Sequence, residues 1–190
     1  MVNRSIIIDT VIQYFDPAEV YVGFFYIRYS DDAKLTVHNV LEVLVKQAIE
    51  KHPACLQMAE ILYEEHVRLD TQPTDDELLD LLHQFSQAFT AMFCFLDALD
   101  EAPHGVRFDL VEKLLSLPIK LFITSRPLDL LQAEFPSIHY FTIAACDHDL
   151  DLHINREIQR STQLRRVLED GDASRKAEVV SLVKDKCGGM

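Results

Sequence analysis

Glycine is scarce, with five in 190 residues, and 48% of the chain is hydrophobic. That balance excludes a fibrous or disordered polypeptide and suits one compact domain with a sizeable core. Basic residues are also in deficit: 18 Lys plus Arg stand against 31 Asp plus Glu, a net charge of -13. A broad surface for nucleic-acid phosphates or an anionic membrane is therefore not expected, although a local anion site stays open. No apolar run reaches membrane-spanning length, and Asp9 interrupts Ile6-Ile7-Ile8 before a signal-peptide core could form. Cys55, Cys94, Cys146 and Cys187 are widely spread with no C-x-x-C pair. This predicts neither a zinc site nor a disulfide framework, but reduced thiols in the cytoplasm. There is no internal repeat, no low-complexity tract and no G-x-x-x-x-G-K-[ST], so a phosphate cradle with its own lysine is missing from the chain.

What is present alternates. Ile7, Ile8, Val11, Ile12 and Phe15 fall at helical spacing over 5–15. With four residues before it, this pattern reads as the tail of a helix in a chain cut short. After Asp16-Pro17, the β-branched and aromatic stretch Val20 to Ile27 predicts a buried strand. Val37, Val40, Leu41, Leu44, Val45, Ala48 and Ile49 then predict a helix with a wide apolar stripe, closed at Pro53. A weaker helix follows over 55–69, its His66 a surface or satisfied residue rather than a ligand. Thr74 and Glu77 have capping-box form ahead of a helix burying Leu78, Leu81, Leu82, Phe85 and Phe89. Asp75 and Asp76 are explained by the helix dipole and are assigned no chemistry.

The organising stretch is 92–101, MFCFLDALDE, an apolar run ending abruptly in Asp97, Asp100 and Glu101. Such a run suits a strand buried on both faces, with carboxylates at the sheet end where α/β proteins bind ligands. By spacing alone the stronger explanation is a solvated acidic turn with Asp97 or Asp100 capping the next helix. A short helix using Leu110, Val111, Leu114 and Leu115 leads to a third strand over 119–124, which delivers Ser125 and Arg126 to the same edge. Arg126 by itself reads as a surface ion-pair partner. Two buried strands ending in DALDE and TSRP, one short helix apart, are the rarer pattern. Pro127 is placed to open a helix over 128–135, His139 to Ile143 is a fourth strand candidate, and beyond Asp147 only helices are expected.

The FFY strand at Phe24 to Tyr26, a Val-Lys-Gln-Ala helix end, FLDALDE, TSRP, DLDLHINREI and the terminal Cys-Gly-Gly-Met together carry a resemblance. The chain resembles the NACHT-type signal-transduction NTPases, in particular the nephrocystin-type N-terminal domain of the fungal kind. The resemblance implies an α/β, P-loop NTPase-like three-layer sandwich with a mostly parallel sheet, lacking its first strand and phosphate loop, then a helical tail. The implied division is a partial NTPase domain over 1–145 and a helical segment over 146–190. Asp97 matches the Walker B aspartate that holds Mg²⁺, a hard cation suited to oxygen ligands. Asp100 and Glu101 match the acids that orient or deprotonate the attacking water, and Arg126, with Ser125 beside it, matches the strand that senses the γ-phosphate.

The resemblance thus implies a nucleotide-dependent switch using Mg²⁺ with ATP or GTP. The absent phosphate loop leads to the expectation that this chain alone neither binds nor hydrolyses nucleotide. It also predicts that the third strand either presents an unpaired edge or pairs with His139 to Ile143. The alternative is a non-catalytic module that binds proteins or itself, with no nucleic-acid or membrane partner. An unrelated magnesium hydrolase is disfavoured, because no nucleophilic Ser, Cys or Asp has a recognisable supporting pair.

Overall fold

The computed structural model describes residues 6–28, 35–143, 147–169 and 173–187. The chain forms two compact units, Met1–Phe135 and Pro136–Met190. The first is an α/β unit around an all-parallel sheet in the order β1-β2-β3, with β1 at Val20–Tyr26, β2 at Ala91–Asp97 and β3 at Lys120–Ile123. The central strand β2 is the apolar run, and Met92 to Leu96 are all buried.

Alternation along the strands sorts the core into two layers. Ile8 of α1 (Ile6–Tyr14) packs with Val20, Val22, Phe93 and Phe95 on one face, joined by the partly buried Val11, Ile12 and Phe15. The opposite face meets α2 (Val37–Lys51), whose stripe Val37, Val40, Leu41, Leu44, Val45 and Ala48 is buried as the periodicity predicts. Tyr21 lies on that side, and its hydroxyl donates to the Leu44 carbonyl at 2.8 Å. Its ring crosses Gly23, where an added Cβ would stand 2.2 Å from Tyr21 Oη. The glycine inside this strand is there because a side chain passes over it.

The outer edge of β1 is closed by side chains. The Gln47 amide accepts from Phe24 N–H at 3.0 Å and donates to Phe24 C=O at 2.9 Å, as a neighbouring strand would. Lys51 Nζ donates to Val22 C=O at 2.6 Å.

Pro53 does more than stop α2, since it occupies the first turn of α3 (Pro53–Leu69), with His52 accepting from Ala54 N–H. The capping box is formed in full: Thr74 Oγ1 accepts from Glu77 N–H, and Glu77 accepts from Thr74 N–H at 2.7 Å, opening α4 (Asp75–Phe85). Phe89 is buried as expected but lies in the turn after α4. Asp75 also joins three helices, meeting His38 Nδ1 at 2.9 Å on α2 and Lys113 Nζ at 3.0 Å on α5 (His104–Leu115). Leu115 differs from its predicted place in the core: it is 43% exposed, and Leu110, Val111 and Leu114 supply the buried stripe. Pro127 sits just outside α6 (Asp129–Glu134), whose cap is Leu128.

In the second unit, α7 (Asp147–Arg160), α8 (Thr162–Glu169) and α9 (Ala173–Cys187) follow in sequence, with Ile158 and Leu168 buried. His139 to Ile143, the fourth strand candidate, has no regular structure, and Phe141 and Ile143 are 85% and 90% exposed. Without a neighbouring ladder for its backbone groups, strand propensity alone does not make a strand. Among the described residues β3 pairs only with β2, so of the two expected outcomes the unpaired edge is observed.

Candidate functional site

The sheet ends in a turn that couples both motifs. Asp97 is the last residue of β2 and is half-buried. Its carbonyl accepts from Ile27 N–H at 3.1 Å, which ties the end of β2 to the end of β1. Its carboxylate Oδ1 accepts from the Thr124 hydroxyl, and Thr124 Oγ1 accepts in turn from Ala98 N–H at 3.1 Å. The backbone crosses the same gap: Thr124 N–H donates to Leu96 C=O and Leu99 N–H to Thr124 C=O, both at 2.9 Å. Ala98 takes a left-handed conformation, φ 60° and ψ 49°, rare for a residue with a Cβ. The chain thereby reverses sharply into a 3-10 turn, Leu99–Glu101, with Leu99 fully buried as its anchor.

Asp100 and Arg126 face each other across this turn. Asp100 Oδ1 accepts from Arg126 N–H at 3.1 Å and Oδ2 lies 3.4 Å from Arg126 Nε. The Asp100 side chain is 16% exposed, whereas that of Arg126 is 85% exposed, so the guanidinium is held loosely and in water. Ser125 Oγ donates locally to Arg126 C=O at 2.5 Å, and Glu101 sits half-buried on the 3-10 turn. From behind, Arg107 of α5 donates to Asp100 C=O at 2.5 Å and to Ala102 C=O at 2.6 Å, fixing the turn. Sequence reasoning named the acids and Arg126 but passed over the residues that hold them, Ala98, Arg107 and Thr124. Thr124 was readable as part of TSRP; the left-handed Ala98 carries no sequence signal.

The chain belongs to the nephrocystin 3 N-terminal family. The match to the family model, Nephrocystin 3, N-terminal, covers residues 3–126, and so takes in DALDE and TSRP as far as Arg126. No curated protein and no solved structure matches the chain.

The donor chemistry limits how magnesium fits this family member's edge. No group of three or more His, Cys, Asp or Glu side chains able to hold a metal ion occurs among the described residues. Asp97 alone fits a magnesium ion that keeps its waters and shares phosphate oxygens, the mode in which one or two carboxylates suffice. The cleft beside the turn, about 230 Å³ between the start of α5 and Pro127 to Leu131, has Phe108, Leu128 and Leu131 in its wall and none of Asp97, Glu101 or Ser125. Burial pushes the Cys94 thiol up to about 12 and the Cys55 thiol up to about 11, so neither supplies a thiolate at neutral pH. Among the described residues no helix is long and apolar enough to cross a membrane.

Proposed function

We propose that residues 92–126 are the metal and phosphate-sensing half of a nucleotide-dependent signalling switch of the NACHT type, working in the cytoplasm. The observation that carries this reading is the joining of the two motifs, 27 residues apart in sequence, through Asp97 and Thr124 at the carboxyl edge of a parallel sheet. Asp97 is assigned to the magnesium ion, directly or through water. Asp100 or Glu101 is assigned to orienting the attacking water. Magnesium, when bound there, would supply charge neutralisation to the phosphates. For Arg126 to reach a γ-phosphate it must leave Asp100, and an exposed pair of this kind holds it by about 1 kcal/mol at most. A phosphate outbids that easily with a bidentate contact. Because the phosphate loop is absent from the sequence, the chain itself is assigned no nucleotide turnover. Titration calorimetry with Mg-ATP and Mg-GTP tests this: the expected result is no saturable binding.

A second reading, a non-catalytic module that binds other proteins, is favoured by one observation. Asp100 and Arg126 satisfy each other, as a structural clamp would. On this reading Asp97→Ala and Arg126→Ala leave a pull-down of partners unchanged, whereas loss of partner binding in both variants favours the switch reading.

A further inference from the structure

Helix α3 is apolar over more of its circumference than the first unit covers. It packs against α2 and α4, on the β1 side of the sheet and away from the β3 edge. Cys55 is its one fully buried residue, and Met58, Ala59, Leu62 and His66, at helical spacing from it, are half-buried against the core. Beside that face runs a second apolar strip: Leu56 is 45% exposed, Tyr63 69% and Val67 61%. These residues stand at i, i+7 and i+11 and so share one side of the helix. The strip explains why α3 reads as weakly amphipathic, since its apolar residues extend past the buried face. Ile61 and Leu69 are exposed too, but toward the other flank, as scattered apolar residues of the kind any surface carries.

The outer border of the strip is acidic. Glu60 lies one turn from Leu56 and from Tyr63, and Glu64 one turn from Glu60 and from Val67. Glu60, Glu64 and Glu65 are all exposed, and among the described residues none has a cationic partner, not even Arg68, one turn from Glu64. We propose that this face of α3 docks an amphipathic helix of a partner protein whose apolar stripe is bordered by lysine or arginine. The charge pattern selects that occupant. A cation set beside Glu60 and Glu64 meets carboxylates that this chain leaves unpaired, while the partner's apolar side chains cover Leu56, Tyr63 and Val67 as the anchors of a helix laid along a helix. Tyr63 suits the middle of such a contact, because it presents a large ring and a hydroxyl tip at little cost in rotamer freedom. A second copy of the chain is the wrong occupant: it brings the same acids to this border, with a net charge of -13 on each copy. Three anchors over about three turns bury well under the roughly 1,600 Å² of a standard interface, so the expected dissociation constant is on the order of 10 μM. The docking uses no nucleotide and no residue of the DALDE and TSRP edge, so it stands or falls apart from the switch reading.

The test is fluorescence anisotropy with the full chain, without nucleotide, at an ionic strength of about 0.15 M, using three labelled synthetic helical peptides of about five turns. One peptide carries a leucine stripe bordered by lysines, another the same stripe bordered by glutamates, and the last the lysines with glutamines in place of the stripe. The expected result is saturable binding of the first alone. Tyr63→Ser combined with Val67→Ser should weaken it roughly tenfold, whereas Ile61→Ser, on the other flank, should leave it unchanged. Glu60→Lys combined with Glu64→Lys should move the preference to the glutamate-bordered peptide. All of these positions are exposed, so the fold should tolerate the changes. Should a variant nevertheless fail to fold, chemical-shift changes on the native chain decide, and they are expected at Leu56, Tyr63 and Val67. No binding of the first peptide, equal binding of either other peptide, shift changes confined to other residues, or an unaltered affinity in the Tyr63 and Val67 variant overturns the proposal. So does self-association of the chain that the same variant abolishes, because the occupant would then be a second copy.

Discussion

Gly23→Ala places a methyl group into a space already filled. The new Cβ would meet Tyr21 Oη at 2.2 Å, Cζ at 2.5 Å and Cε1 at 2.7 Å, three atoms of one ring. The ring cannot simply swing aside, because Tyr21 is 2% exposed and its hydroxyl is held 2.8 Å from the buried Leu44 carbonyl. Overfilling a packed core costs about 1–3 kcal/mol. Displacing the hydroxyl loses a hydrogen bond worth about 1 kcal/mol and leaves the buried Tyr21 hydroxyl without its partner. The expected loss is therefore roughly 2–4 kcal/mol, read as a lower urea midpoint with an unchanged slope. Tyr21→Phe alone should cost about 1 kcal/mol, since it removes only the bond. In a Tyr21→Leu background, where the ring is gone, the cost of Gly23→Ala should fall below about 1 kcal/mol, a coupling that a double-mutant cycle measures. A Gly23→Ala chain as stable as the native one would refute the account of why this strand contains a glycine.

Three further outcomes follow from the site and its surroundings. Thr124→Val removes the hydroxyl that links Asp97 to Ala98 N–H and should cost about 1–2 kcal/mol in chemical denaturation, given its exposure, while Thr124→Ser should cost less than half of that. Ala98→Gly relieves a left-handed backbone that costs about 1–2 kcal/mol against about 0.5–1 kcal/mol of added chain entropy, so a gain of roughly 0.5–1 kcal/mol is expected in the same assay. Burial alone would raise the Asp75 carboxyl, but hydrogen bonds and charge from Lys113 and His38 outweigh it and hold the group below the usual aspartate range. Its contribution is thus present above the unfolded-state value near pH 4 and is lost as pH falls through the lower folded value. Asp75→Asn should destabilise by about 1 kcal/mol at pH 7 and progressively less below about pH 4 when the two chains are melted side by side.

Where burial decides structure, the sequence was legible. The continuous run 92–96 could only be a strand covered on both faces, the stripe of α2 spelled out its buried side, and Thr74 with Glu77 announced a helix start that forms atom for atom. DALDE and TSRP were each placed correctly at one sheet end because parallel strands bring their carboxyl ends together. Local pattern failed where a tertiary partner was required. The HYFTI stretch has strand composition and no ladder to join. Leu115 fits the helical period but lies at the margin of the stripe, where its neighbours Leu114 and Leu117 take the buried places. The pairing of Asp100 with Arg126 was hidden for the same reason: two charges 26 residues apart meet only once the 3-10 turn and the TSRP loop are in place.

The central claim is that Asp97, Asp100, Glu101, Ser125 and Arg126 form half of a nucleotide site that needs its phosphates held by something else. Isothermal titration of Mg-ATP and Mg-GTP into the chain, with Asp97→Ala as the control, tests it most directly. The account predicts no saturable heat for either protein up to about 1 mM nucleotide, a free energy near the floor of specific binding. Saturable, magnesium-dependent binding tighter than about 10 μM that Asp97→Ala abolishes would contradict it, because the site would then be complete without a phosphate loop.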